Sequence, residues 1–556
     1  MSAAAVSAPH LVVVPVLLPM AAAAAMLLMG GASRAKAAVS VLAAAVGLAV
    51  AFALLARTLA GGEPGAVGVY LPSNWDVPFG IVLVADRLSA FMLAVTAVVG
   101  LAAVVFALGH WDRAGPHFHS LVQVQLMGLN GAFLTADAFN LFVFFEIALA
   151  ASYALLLYGS GRARVGAGLH YLAINLVASS FFLIGVAVLY GITGTLNLAD
   201  MAAKLPQVPP GDRGLLHAGA AILGLAFLAK AAMWPLNSWL APAYAAAAPP
   251  VAALFVLLTK LGIYAALRTW SLLLSTEPGE PEAFGGAAIA YGGLATLAFG
   301  SLAMIGVQQL RRLAAYAVIV SSGTLLAAIG FAHAPLAGAA IYYLAVSTLA
   351  TAALFLLAEL VERSRSGAAL ASTPYDDEAD AAPVYVAGPE ARGEVASDEA
   401  PVGQPIPGTM AFLGLSFVAC ALLIAGLPPL SGFLAKFALL AAVLEAPSAT
   451  MRAEGWTFFT LAIASGLAAT VVLSRAGVRY FWAPQGRSLP TVRWNEGLPI
   501  GGLLLAAVAL TVFAQPVLEY TRSAARGLFA PAPYVEAIMS AKPVPGPARQ
   551  APEGAR

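Results

Sequence analysis

The 556-residue chain is 61% hydrophobic and 10% charged, with a formal net charge of +1. Soluble domains carry about 25% charged residues, so this composition excludes a chain solvated mainly by water. The charge balance gives no electrostatic footprint for a nucleic acid, and a single cysteine, Cys420, excludes a disulfide framework and cysteine-ligated metal chemistry.

A helix needs about 20 mostly apolar residues to cross the hydrocarbon. Runs of that kind centre near residues 20, 47, 98, 128, 149, 179, 224, 260, 295, 323, 348, 425, 465 and 507. They predict an all-α polytopic membrane protein with about fourteen transmembrane helices. No charged region precedes the first run and no cleavage site follows it, so it is read as a retained span and not as a signal peptide. Alternation places Arg34/Lys36, Arg162/Arg164, Arg311/Arg312, Arg363/Arg365 and the group Arg475, Arg479, Arg487 and Arg493 on one side. The opposite loops are poor in Lys and Arg, and one carries Glu277, Glu280 and Glu282. By the positive-inside rule the basic side is cytoplasmic, and both termini are expected outside. The stretch 363–408, acidic and interspersed with Pro, Ala and Ser, is expected to be an exposed loop between the eleventh and twelfth spans.

Four charges fall inside apolar runs: Glu146, Lys230, Lys260 and Lys436. An ionised side chain at the bilayer centre costs roughly 2.5–3.5 kcal/mol on insertion scales, so such residues face the protein interior and mark proton or ion paths. Snorkelling to a headgroup or a structural ion pair is the alternative for Lys230 and Lys436; Lys260 is too deeply flanked to snorkel. One carboxylate cannot neutralise three ammonium groups, and both desolvation and like-charge repulsion disfavour the charged form. At least one lysine is therefore expected to spend part of its time neutral, which suits it to relay protons.

Two of the lysines lie beside helix breakers. Pro235 follows Lys230, and Gly426, Pro428, Pro429 and Gly432 precede Lys436. A broken helix at membrane depth must line a cavity or find polar partners, and transporters place paired breaks in corresponding positions of two repeats. The breaks fall in the seventh and twelfth spans, five apart, and an odd offset inverts topology. The expected organisation is a three-helix segment 1–115, a first repeat 116–275 (spans 4–8), a second repeat 276–480 (spans 9–13) and a last helix with a loose tail over 481–556. A kink that serves only packing is the alternative for either break alone.

Weaker signals are Asp137, which ends the fourth span, and Asn140, His170, Asn175, Ser321 and Ser322, polar groups inside spans that could hold water or bond neighbouring helices. Glu359 is read as a port residue or an interface anchor. His110, His117 and His119 flank a Gly-Pro turn with no Cys or Glu ligand beside them, so no metal site is expected. No phosphate-binding loop, nucleophile elbow or dinucleotide fingerprint is present, so no cofactor and no enzymatic activity are expected.

The runs Gly128–Asp137, Asn140–Glu146, Lys230–Trp239, Ala248–Ala253 through Lys260–Tyr264 and Gly426–Phe437 resemble the antiporter-like proton-pumping subunits of respiratory complex I and their relatives. Within that superfamily, Asn74–Ile81, Asp86–Leu88 and Gly115–His119 resemble the D-type branch of the Mrp-type (Pha- or Mnh-type) multisubunit monovalent cation/proton antiporters. The resemblance runs from about residue 10 to 520. It implies inverted five-helix repeats around broken seventh and twelfth helices. It assigns Glu146 as the carboxylate paired with Lys230, Lys260 as the central relay and Lys436 as the terminal relay. It also implies partner membrane subunits in a bacterial inner membrane, with protons and Na+ or K+ as the ions moved. One departure stands out: where many complex I relatives carry a His and a Lys in the eleventh span, this chain has Val346 and Ala350. The second half-channel is then expected to rely on Ser347, Thr348, Tyr342 and Tyr343. A proton-pumping subunit of complex I or of a membrane-bound hydrogenase is the rival reading.

Overall fold

The computed structural model describes residues 9–61, 67–115, 117–159, 161–273, 284–365, 407–445, 449–482 and 492–544. Helices α1 (Val14–Leu28) and α2 (Ser33–Ala60) lead into a two-stranded antiparallel hairpin, β1 (Gly68–Tyr70) and β2 (Leu83–Ala85), with Val69 opposite Val84. Then follow α3 (Arg87–Ala107), α4 (Phe118–Leu134), α5 (Ala138–Leu156), α6 (Arg162–Thr193), the short α7 (Leu198–Lys204), α8 (Arg213–Lys230), α9 (Leu240–Ala246) and α10 (Pro249–Leu273). The second half has α11 (Gly286–Gly306), α12 (Leu310–Gly330), α13 (Ala334–Arg365), α14 (Gly408–Ala425), α15 (Ser431–Leu444), α16 (Ala449–Gly477) and α17 (Trp494–Val512), then α18 (Ala514–Phe529) and α19 (Ala532–Met539).

Among the described residues, twelve helices are long and apolar enough to cross a bilayer. Two more expected centres fall on α1 and α4, of 15 and 17 residues. The centre expected near 425 lands on the break between α14 and α15. The chain is thus a multi-pass helical membrane protein, with α8/α9 as its broken seventh span and α14/α15 as its broken twelfth.

The layering follows from side-chain size. Helix α10 is buried along its whole length, and α13 nearly so. Small residues let neighbours approach closely, as membrane helices require without a strong hydrophobic drive between them. A Cβ at Gly323 of α12, for example, would run into the backbone of Leu297 on α11. Helices α6, α11 and α16 keep wide exposed apolar faces, with Leu176, Leu302 and Leu467 each more than half exposed.

A polar lock closes the end of the bundle that carries the hairpin. Asp86 caps α3 by accepting from the Ser89 backbone N–H at 2.9 Å. It also receives both guanidinium nitrogens of Arg268, from α10, at 2.6 and 2.7 Å. Burial alone pushes the Asp86 carboxyl up, but the Arg268 charge and the hydrogen bonds from Arg268 and Ser89 outweigh it and hold it below the ordinary carboxylate range. A carboxyl held low contributes stability that is present above its unfolded value near 3.8 and is lost as pH falls through the folded one. Arg268→Leu strands this carboxylate, and removal of one partner of a buried pair costs about 3–5 kcal/mol. A markedly lowered thermal midpoint is expected, and Asp86→Asn combined with Arg268→Leu should recover part of the loss; thermal unfolding of the purified complex measures both.

Residues 514–539 are helical where the sequence suggests a loose tail. Helix α18 lays an amphipathic stripe against α13 and α3. Tyr520 donates to the Arg87 carbonyl at 2.9 Å and meets Thr58 at 2.8 Å, while Arg87 bonds Ser523. Tyr534 of α19 stacks on the Arg268 guanidinium, 5.2 Å from its ring centroid. Polar anchors at irregular spacing, which hydropathy does not register, hold this segment in place. Most of the expected acidic loop 363–408, the Glu277/Glu280/Glu282 loop and Arg487 lie outside the described residues.

Candidate functional site

The two broken spans end their first halves in the same way. After α8, Ala232 adopts a left-handed conformation (φ 57°) and the Met233 N–H reaches back to the Leu228 carbonyl at 2.9 Å. After α14, Gly426 is left-handed (φ 76°) and the Leu427 N–H reaches back to Leu422 at 3.0 Å. Both are helix C-terminal caps of the Schellman type. A proline stands three residues beyond the left-handed residue in each, Pro235 and Pro429, and Pro428 precedes the second. The breaks are therefore equivalent in local geometry, although one uses alanine where glycine is easier.

Around the first break, three side chains form a hydrogen-bonded chain. Lys230, the last residue of α8, is buried and donates from Nζ to Ser179 Oγ on α6 at 2.9 Å. Ser179 in turn donates to Glu146 Oε1 on α5 through a short hydrogen bond. Lys230 Nζ lies 3.7 Å from the same Oε1 and 5.3 Å from the Phe145 ring centroid. Glu146 and Lys230 are thus brought together as expected, but through a serine that sequence reasoning missed. The signal for it lay in the buried face of α6, where Tyr171, Asn175, Ala178, Ser179 and Phe182 recur at helical spacing. A hydroxyl that accepts from one partner and donates to another can pass a proton by reversing both bonds.

Lys260 is 0% exposed and stands apart from that chain, donating to Ser321 Oγ of α12 at 2.5 Å. Ser321 donates onward to the Val318 carbonyl at 2.8 Å. Among the described residues no carboxylate pairs with Lys260. Its neighbour Thr259 meets the buried Tyr244 hydroxyl at 2.5 Å, a second polar contact absent from the sequence reading. Helix α10 touches the break directly: a Cβ at Gly262 would lie 2.7 Å from Ala231 N and 2.9 Å from the Lys230 carbonyl carbon. Gly262→Val should force these backbones apart and lower transport at least about tenfold, the scale of effect expected when a mutation misplaces reacting groups. Exchange per assembled complex measures it.

Lys436, on α15, donates to the Ala425 carbonyl at 2.9 Å. It thus sits on the carboxyl end of the half-helix α14, where unsatisfied carbonyls attract a cation. Gly432 makes this possible, since a Cβ there would strike the Leu423 backbone.

The accessory positions are dispersed. Asp137 caps α5, accepting from the Asn140 N–H at 2.7 Å, and burial pushes its carboxyl up despite backbone hydrogen bonds. His170 Nε2 lies 3.2 Å from Ser238 Oγ in the first break. Ser347 and Thr348 both donate to the Leu344 carbonyl of their own helix, at 3.1 and 2.6 Å, and Tyr342 donates to Leu510 at 2.8 Å. Glu359 accepts from Trp111 Nε1 at 2.8 Å and pairs with His110 Nε2 at 3.0 Å. Arg363 bonds both oxygens of nearby Glu496, each at 2.8 Å. Among the described residues no group of three or more His, Cys, Asp or Glu side chains is placed to hold a metal.

Twelve bilayer-length helices among the described residues, two equivalent helix breaks and a lysine at each define an antiporter-like membrane subunit. Residues 135–373 match the family described as NADH:quinone oxidoreductase/Mrp antiporter, TM. The chain is 48% identical over 541 residues to a protein of Rhizobium meliloti (strain 1021) named as a probable D-type subunit of a K+/H+ antiporter, covering 96% of this chain and 98% of that one. It is 33% identical over 474 residues to the D-type subunit of the Na+/H+ antiporter of Alkalihalophilus pseudofirmus, covering 84% and 87%. A chain of the Mrp complex from Dietzia sp. DQ12-45-1b superposes with a TM-score of 0.78 at 25% identity, over 95% of this chain and 99% of that one. The chain belongs to the family of D-type subunits of the multisubunit cation/proton antiporters.

Proposed function

We propose that this chain is the proton-translocating subunit of a multisubunit antiporter that exchanges Na+ or K+ for protons. The observation that carries the reading is the hydrogen-bonded chain Lys230–Ser179–Glu146, built at an unwound helix within the membrane. Lys260 serves as the central relay between the two repeats, 116–275 and 276–480, and Lys436 as the terminal relay. Protons enter under the proton-motive force while the cation leaves, which requires partner membrane subunits. The excess of Lys and Arg in alternate loops supports an orientation with both termini outside, and the proposed location is a bacterial inner membrane. Val346 and Ala350, in place of a His and a Lys, favour the antiporter reading over a redox-driven pump. The test is cation-dependent proton flux in vesicles holding the complete complex. Na+- or K+-driven proton movement is expected with the complete complex and not with this chain alone. Proton pumping that needs a quinone and responds to no cation would replace the reading with its rival.

A further inference from the structure

At the basic end of the bundle, a cleft of about 420 Å3 opens between the ends of α11 and α16. Its walls are Ile305, Val307 and Gln308 on one side and Ser474, Arg475 and Arg479 on the other. Below Gly477 the chain leaves α-helical geometry for a five-residue π turn, Val478–Trp482, and such turns are rare and concentrate at functional sites. Arg479 Nη1 bonds Gln308 Oε1 at 2.8 Å and Tyr480 reaches the Gln308 carbonyl at 3.5 Å, so the far wall is tied in place. Among the described residues the Arg475 guanidinium has no protein partner and no carboxylate lines the cleft.

The same helix line changes character along its length. Leu467 and Val471, 66% and 48% exposed, precede Arg475 and Arg479 at four-residue steps. Exposed Leu302 and Ile305 border the line from α11. An apolar strip thus leads from membrane depth into a cationic, hydroxyl-bearing cleft at the membrane boundary. That order matches an amphiphile with acyl chains and an anionic head. Guanidinium groups recognise phosphate through paired N–H donors, and basic pockets between helices on the cytoplasmic side hold lipid headgroups.

We propose that this cleft binds the phosphate of an anionic phospholipid, with the acyl chains lying along the α11–α16 face. The test is photo-crosslinking of the complete complex in phosphatidylcholine vesicles doped with a photoactivatable phosphatidylglycerol. Labelling of α11 and α16 peptides is expected in the native complex. R475Q/R479Q should lower it about 25-fold, at roughly a factor of five per arginine. R475K/R479K, which keeps the charge without the fork, should retain part of it. Subunit composition checks that each variant has assembled. Three results would overturn the proposal: equal labelling of native and R475Q/R479Q complexes, displacement of the lipid by stoichiometric inorganic phosphate, or protection of the cleft by a neighbouring subunit.

Discussion

Lys260→Met is expected to reduce exchange to background while leaving the complex assembled. The side chain is fully buried in the centre of α10, and among the described residues its ammonium bonds the Ser321 hydroxyl alone. Methionine approximates the length of the stem and removes the ionisable head, so packing changes little. Among the described residues no carboxylate pairs with it, so a change in its protonation breaks no ion pair. Proton transfer by a positioned side chain contributes typically about 10²–10⁴-fold, and loss of a central relay should cost at least about a hundredfold. Cation-driven proton uptake normalised to assembled complex is the measurement. Undiminished uptake would remove Lys260 from the path.

The second large effect is at the three-residue chain. Glu146→Gln keeps the shape but cannot take up a proton, and a fall of about a hundredfold is expected. Ser179→Ala removes the bridge between Lys230 and Glu146 and should cost about tenfold, because the direct 3.7 Å approach of the two charges remains. Ser179→Thr restores a hydroxyl and should recover most of the rate. The double variant should be little worse than Glu146→Gln alone, since residues acting as one unit are not additive. Additive losses would mean that serine and glutamate serve separate paths.

Several of these features are legible in the sequence. Glu146 and Lys230 are conspicuous because charge in an apolar run carries its own cost, and Pro235 and Pro429 mark breaks by their missing N–H groups. Ser179 is not, because a hydroxyl is cheap anywhere in a membrane helix and can bond its own backbone, as Ser347 and Thr348 do. Arg268 escapes notice for the opposite reason. It lies near the end of a span, where a cation is ordinarily read as an interface anchor, yet it is buried against Asp86, 182 residues earlier. The helical tail 514–539 is hidden by its short, mixed composition, and its anchors on Thr58, Arg87 and Arg268 are all remote in sequence.

The sequence by itself determined the solvent, the multi-pass helical architecture, the two breaks and the identity of four charges inside apolar runs, of which Lys230 and Lys260 are buried. Each follows from a local cost: apolar length against bilayer thickness, desolvation of a charge, or a proline without a donor. Tertiary structure alone decided which charges meet. It joined Glu146 to Lys230 through Ser179, left Lys260 on Ser321, and set Lys436 against the end of a half-helix. Those pairings depend on how closely helices far apart in the chain can approach, and that distance is set by residues such as Gly262 and Gly432, whose missing side chains carry no signal of what they will touch.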